Sequence, residues 1–418
     1  MSQLAIEVWN GDTQAGQAFF TRARRGQGRG GVSTTFIYEP SYLAHGGIAL
    51  DPALPLVPGA QYVPGLPGAF SDTAPDRWGR NLIDKQEREQ ARVEQRAPRT
   101  LDEIDYLLRV SDNTRQGALR FRIPASSTAE GFVGADSAVP PLLELPALLR
   151  AADDASQIQD AAGTHEAVKL LLQTGTTGLG GARPKAAVRL ENGALAIAKF
   201  PHSSDEWDVM AWEAVSLDIL ARAQCLVPQY RLTRVGERSI LLLRRFDRLG
   251  DTRIGYISAL TAVGARDGEQ RDYVDIADTI RDLSASPHSD LRELFRRVVV
   301  SVAIGNTDDH LRNHGFLADL KGWRLAPAFD VNPAGDLSTP RATALAGADS
   351  FPEEVAALGD VAEACSISAA ERTEIVSGVL GAIADWENLA IHRGISQRER
   401  SRFAELFAAR GAQLRSVA

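Results

Sequence analysis

Over the N-terminal part of the chain, apolar and polar positions alternate in short runs punctuated by glycine and proline, the signature of half-buried strands. Leu4–Trp9 and Thr34–Tyr38 are such runs, and the helical spacing of Pro75–Ala91 follows them, so a small α+β domain is expected. Between Ile123 and Pro146 the periodicity stops at Pro124, Ser126-Ser127-Thr128, Gly131, Gly134 and Pro140-Pro141, a composition suited to a domain boundary. Beyond it, Ala186–Leu190 and Ala194–Lys199 flank Asn192-Gly193, which predicts a β-hairpin closed by a type I′ turn. A helix is expected from about Glu206 to Ala223, and from Asp275 onward helical spacing dominates. Ser368 to Glu371 and Ser396 to Glu399 have the form of capping boxes, and Gly394 suits the left-handed residue that ends a helix. No internal repeat or coiled-coil heptad is visible.

Composition narrows the class without naming an activity. The 418 residues are 44% hydrophobic and 24% charged, ordinary for a water-soluble protein of two or three domains. The longest apolar run, Val298–Ile304, is far too short to span a bilayer, and no basic stretch followed by an apolar one opens the chain. A cytoplasmic protein with no membrane partner is therefore expected. Cys225 and Cys365 lie far apart without CxxC spacing, which argues against zinc, an iron–sulfur cluster or a disulfide framework. A net charge of −8 argues against broad electrostatic binding of nucleic acid. Arg22, Arg24, Arg25 and Arg29 form a local basic cluster, read as a solvated hairpin loop in preference to a DNA contact.

Four pieces carry candidate chemistry, and their order matters more than any one of them. Thr174–Lys185 holds four glycines and ends on Arg183 and Lys185; such backbone approaches phosphate oxygens closely, although an ordinary surface loop has the same composition. Lys199 ends the strand Leu195–Lys199 on its apolar face, where an ammonium needs an anionic partner unless the strand end opens to water. In kinases that partner is the ATP phosphates with a glutamate from the next helix, here Glu213. Asp308 and Asn313 stand five apart, the kinase spacing of the aspartate that receives the substrate hydroxyl proton and the asparagine that holds Mg²⁺. Finally, Trp323–Asp330 reads as a strand delivering Asp330, a second candidate Mg²⁺ ligand, after a hairpin near Asp319–Gly322. Together these favour a phosphotransferase.

At these residues the chain resembles the HipA family. Gly180-Gly-Ala-Arg-Pro-Lys185 is similar to the family's phosphate loop, Ala198-Lys199-Phe200-Pro201 to its ATP-lysine strand, and Arg245-Phe246-Asp247-Arg248 to its interlobe hinge. Thr307-Asp308-Asp309-His310-Leu-Arg-Asn313 is similar to its catalytic loop and Leu325–Asp330 to its metal aspartate. Phe70–Arg80 and Gln116–Phe121 match its N-terminal domain. The resemblance implies an α+β fold: an atypical two-lobed protein-kinase-like fold with an additional small N-terminal α+β domain. Residues 1–125 would form that domain, 126–245 the ATP-binding N-lobe and 246–418 the helical C-lobe. It implies a serine/threonine protein kinase toxin of a toxin–antitoxin system, using ATP and Mg²⁺ to phosphorylate a translation component such as an aminoacyl-tRNA synthetase. A HipB-like helix-turn-helix antitoxin would bind it and mediate any contact with DNA. Asp308 would be catalytic. Gly178, Gly180, Gly181, Ala182, Arg183, Lys185, Lys199, Glu213, Arg244, Arg245, Phe246, His310, Asn313 and Asp330 would meet ATP, with Asn313 and Asp330 on the metal. The alternatives are a small-molecule kinase of the aminoglycoside or choline type and a non-catalytic pseudokinase corepressor. Two positions depart from the family. Gly178 replaces its autophosphorylated serine, leaving Thr176 and Thr177 as nearby hydroxyls. Asp309 replaces a glycine, and its charge is expected either to assist the metal or to be solvated. His314 is expected to be structural or exposed.

Overall fold

The computed structural model describes residues 3–22, 31–124, 131–135, 139–156, 162–173 and 183–417. They fall into two compact units, Met1–Ser203 with Asp247–Ile257, and Ser204–Phe246 with Ser258–Ala418.

The first unit is built on a five-stranded antiparallel sheet in the order β4-β3-β2-β1-β5, from β1 (Gln3–Asn10), β2 (Thr13–Arg22), β3 (Val32–Tyr38), β4 (Ala60–Pro64) and β5 (Leu119–Arg122). The alternation legible in the sequence is the alternation of its faces: Ile6, Val8, Ala18, Phe20 and Phe36 are fully buried. Helices α1 (Pro40–Ala44), α2 (Gly68–Asp72), α3 (Arg77–Val93) and α4 (Glu103–Leu108) accompany the sheet. Asp76 caps α3 by accepting from the Gly79 N–H at 2.7 Å. After α5 (Leu145–Ser156) and α6 (Ala162–Gln173), β6 (Lys185–Arg189) and β7 (Leu195–Lys199) pair as the expected hairpin. Its turn differs from the expectation. Leu190 N–H bonds Ala194 C=O at 2.8 Å, so the loop has three residues, and Gly193 alone takes a positive φ, of 82°. A type I′ turn needs two such residues; Asn192 stays outside the left-handed region and the extra residue forms a bulge at Gly193. Arg22 lies in β2 with its guanidinium 2.6 Å from Asp102 and 3.0 Å from Asp105, a paired charge where a solvated loop was expected. Arg24, Arg25 and Arg29 lie outside the described residues.

The second unit is mainly helical. It contains α7 (Val209–Arg222), the hairpin β8 (Tyr230–Val235) and β9 (Arg238–Arg244), α8 (Ala259–Val263), α9 (Tyr273–Leu283) and α10 (Pro287–Ile304). Beyond a second hairpin, Gly315–Asp319 with Gly322–Leu325, come α11 (Glu353–Ala356), α12 (Leu358–Ala364), α13 (Ala369–Ile383), α14 (Trp386–His392) and α15 (Gln397–Arg415). Ser368 and Glu371 form the complete capping box at α13. At α15 only half of it exists: Ser396 accepts from Glu399 N–H, but the Glu399 carboxylate turns to the N–H of Asp208, at 3.2 Å. The glutamate thereby ties the start of α15 to the cap of α7. Gly394 has φ 77° and closes α14, as expected. Trp212 packs on Phe403 at 4.2 Å and Trp386 on Phe407 at 4.6 Å, an aromatic core joining α7, α14 and α15. Cys225 and Cys365 are free and buried, and burial pushes both thiols up to about 12. Among the described residues no helix is long and apolar enough to cross a membrane.

Candidate active site

Helix α10 is buried from Val298 to Ile304 and must end abruptly to release the polar loop that follows. Gly305 makes this possible. Its φ of 67° is left-handed, and a Cβ there would stand 2.8 Å from Arg410 Nε. The loop after it is held by hydrogen bonds as well as by buried Leu311. Ser301 donates to Asn306 C=O at 3.1 Å, Ala342 N–H bonds Thr307 C=O at 2.8 Å, and Thr343 donates to Asp309 C=O at 2.7 Å. Within the loop, His310 N–H bonds Asp308 C=O at 3.1 Å and Asn313 N–H bonds His310 C=O at 2.8 Å. The Asn313 side-chain amide donates to Asp308 C=O at 3.0 Å, so the two residues are fixed to each other directly. Asp308 is exposed, whereas Asn313 is buried.

Asp330 reaches the same neighbourhood from two sides. Leading into it, Ala326 N–H bonds Gly315 C=O at 2.8 Å, extending the hairpin whose first strand begins two residues after Asn313. Leading out, Asn332 N–H bonds Asn306 Oδ1 at 3.4 Å and Ala334 N–H bonds Gly305 C=O at 2.8 Å. The chain around Asp330 is thus fastened to both ends of the loop that carries Asp308 and Asn313. Asp330 itself has φ 58°, a left-handed conformation that short polar side chains tolerate best among non-glycine residues. Phe329 packs against Phe246 with ring centroids 5.7 Å apart. Arg244 is fixed through its N–H to Gln229 C=O at 2.8 Å, and Arg245 is buried.

Asp309 is neither solvated nor aimed at a metal, which corrects the expectation for this position. It is buried, with Tyr273 Oη donating to Oδ2, Ser301 Oγ at 3.1 Å from the same oxygen, and His314 Nε2 3.0 Å from Oδ1. Burial alone would raise its carboxyl; the facing His314 ring, the Tyr273 hydroxyl and the Arg341 guanidinium reverse this and hold it well below the usual range. Burial first, and then the Asp309 charge, push the Tyr273 phenol far up. Arg341 donates to Ser301 at 2.5 Å and to Glu354 at 2.8 Å, and Glu354 also accepts from Arg410 of α15. A chain of buried charges therefore runs from the residue beside Asp308 to the C-terminal helix. The sequence signal was the aspartate where a glycine is usual, with a histidine just beyond Asn313; Tyr273, Arg341 and Glu354 gave none.

The remaining expected residues divide between the units. Lys199 and Lys185, both buried, belong to the first, and buried Glu213 on α7 to the second. Arg183 is half-buried just ahead of β6. Lys185 Nζ donates to Asp76 Oδ2 at 2.6 Å, a partner for which the sequence assigned no role. Gly178, Gly180, Gly181, Ala182, Thr176 and Thr177 lie outside the described residues. A cleft of about 190 Å³ adjoins the loop at half-buried His310 and Arg312, where Arg312 is braced by both oxygens of Asp267 at 2.8 Å.

Among the described residues no cluster of three or more His, Cys, Asp or Glu could hold a metal by itself. Mg²⁺ does not require one, because it is commonly held by one or two protein oxygens together with substrate phosphates. Asn313, whose amide nitrogen is already engaged and whose carbonyl oxygen is of the required type, and Asp330 fit that need.

A family model described as HipA-like C-terminal domain matches residues 177–386, and one described as HipA N-terminal domain matches residues 6–122. The chain belongs to the HipA family. Among solved structures, HipA of Shewanella oneidensis MR-1, in its complex with HipB and operator DNA, is similar with a TM-score of 0.62 and 14% identity, over 98% of this chain and 96% of that one. The fold is therefore the mixed α+β fold of HipA, with the family's N-terminal and C-terminal domains on one chain. The proinflammatory kinase CtkA of Helicobacter pylori is similar over 58% of this chain and 95% of its own at 14% identity, with a TM-score of 0.41 that is too low to bear on the fold. No curated protein sequence matches the chain.

Proposed function

We propose that this HipA-family protein is an ATP- and Mg²⁺-dependent serine/threonine protein kinase that acts as a toxin in the cytoplasm. One observation carries the reading: the backbone on either side of Asp330 is hydrogen-bonded to both ends of the loop that carries Asp308 and Asn313. The loop carrying a carboxylate and an amide is thereby tied to the segment carrying a second carboxylate, which supports a phosphoryl-transfer site at this end of α10.

In this reading Asn313 and Asp330 would hold Mg²⁺, which would supply positive charge to the transferred phosphate. Exposed Asp308 aligns the acceptor hydroxyl and takes its proton late in the reaction, since most of the rate comes from positioning and electrostatics. Lys199 binds the ATP phosphates. Backbone around Arg244–Phe246 meets the adenine. His310, in the wall of the cleft, faces the acceptor or the nucleotide. The acceptor belongs to a translation component such as an aminoacyl-tRNA synthetase. The association with HipB and DNA in the Shewanella complex supports a HipB-like antitoxin as partner, with DNA reached through it.

The test is to incubate the pure protein with Mg²⁺, γ-labelled ATP and cell lysate, and to fractionate the label. Label entering a protein band, absent with Asp308→Asn, supports the reading. Label entering small metabolites assigns a small-molecule kinase, and no turnover at all assigns a non-catalytic corepressor.

A further inference from the structure

In the β6–β7 ladder Lys185 stands directly opposite Lys199, so both side chains leave the hairpin on the same face. Like charges in that arrangement repel, and these two are only 2% and 8% exposed, where water screens them little. The anion that meets Lys185 comes from 109 positions away: Asp76 Oδ2, at 2.6 Å. Asp76 divides its oxygens, because Oδ1 caps α3 through the Gly79 N–H. The same domain grips the chain a second time. Asp247 Oδ2 accepts from Gly117 N–H at 2.7 Å, while Arg248 donates to Gly117 C=O at 3.0 Å and to Arg115 C=O at 2.6 Å. Two N-terminal motifs and two motifs of the nucleotide region, separate in sequence, therefore meet as buried polar pairs.

We propose that Asp76 is a positioning residue for the nucleotide. By holding Lys185 it fixes the start of β6, the strand whose first residue is paired in register with Lys199 at the end of β7. The N-terminal domain thus sets ATP affinity without touching ATP. This rests on the ATP-dependent reading above.

Asp76→Asn separates the two tasks, since asparagine still caps a helix but turns an uncharged amide toward Lys185. The affinity of the full chain for Mg²⁺ with a non-hydrolysable ATP analogue is measured by calorimetry, with circular dichroism as the check on folding. The expected result is a loss of about tenfold or more in Asp76→Asn and again in Lys185→Gln, and recovery to within about threefold of wild type in the double variant, where two neutral amides can bond. Losses that add in the double variant would mean that Lys185 touches the nucleotide itself, and would overturn the proposal, as would unchanged affinity in Asp76→Asn. If a single variant does not fold, the double variant decides alone: a loss beyond about thirtyfold contradicts the pairing role. Wild-type protein that binds no nucleotide would instead refute the proposed function, a distinguishable outcome.

Discussion

His314 Nε2 lies 3.0 Å from Oδ1 of Asp309, joining the residue that follows the proposed catalytic aspartate to the residue that follows the proposed metal asparagine. The contact spans the loop between them, and the Asn313 amide fastens the same loop to Asp308 C=O. An aspartate at this position is compatible with the fold because Tyr273, Ser301 and Arg341 supply hydroxyls and a cation to receive it.

Replacing Asp309 with alanine or glycine should therefore harm stability as well as rate. The Tyr273 hydroxyl would lose its acceptor, and His314 and Arg341 a nearby anion. Removing one partner of a buried charge network costs about 3–5 kcal/mol. Urea unfolding should show that loss, and a loss under ~1 kcal/mol would mean that the network is ornamental.

Asp308→Asn should behave in the opposite way. Its side chain is exposed, so the unfolding free energy should stay within about 0.5 kcal/mol of wild type. Protein phosphorylation should fall at least ~10²-fold. Steady-state labelling and denaturant titration on the same preparation read both.

Asp330→Asn keeps a residue type that tolerates the left-handed backbone while removing a metal charge. The Mg²⁺ concentration giving half-maximal phosphorylation should rise by about tenfold or more, with little change in the thermal midpoint. An unchanged Mg²⁺ titration would remove Asp330 from the metal.

Stability should decline in acid partly through Glu87. Hydrogen bonding from Arg96, then from Arg99 N–H and Arg109, outweighs burial and lowers its carboxyl from 4.5 to about 2. Because the folded value is the lower one, its contribution is present above about pH 4.5 and lost as pH falls toward 2. The urea midpoint difference between wild type and Glu87→Gln should shrink across that window; a constant difference would contradict the assignment.

Gly117→Ala should destabilise the first unit by about 1–3 kcal/mol. Gly117 has φ 73°, and a Cβ there would stand 3.1 Å from Tyr256 N, while the backbone at Gly117 serves Asp247 and Arg248. Thermal melts of the two proteins check this.

Much of this architecture was legible in the chain. Alternation marked β1 and β3, helical spacing marked α3, and Gly394 and Ser368 marked helix ends, because each depends on local chemistry. The β6–β7 hairpin was legible, but its turn was not: Asn192-Gly193 serves a two-residue or a three-residue loop, and the register, Lys185 opposite Lys199, decides. Glu399 illustrates another limit, since its sequence neighbours call for a full capping box and a distant N–H at Asp208 takes the carboxylate instead. Asp309 was misjudged for the same reason. Its charge is visible in sequence, but its partners lie on α9, α10 and the segment near Arg341, which only the fold brings to it.

The central claim is that Asn313 and Asp330 share one metal beside Asp308. Crystals grown with Mn²⁺ and a non-hydrolysable ATP analogue test it through the anomalous signal of the metal. The account predicts a peak about 2.0–2.4 Å from an oxygen of each residue, bridged to nucleotide phosphate. A metal and nucleotide bound elsewhere, with these two oxygens uncoordinated, would contradict it.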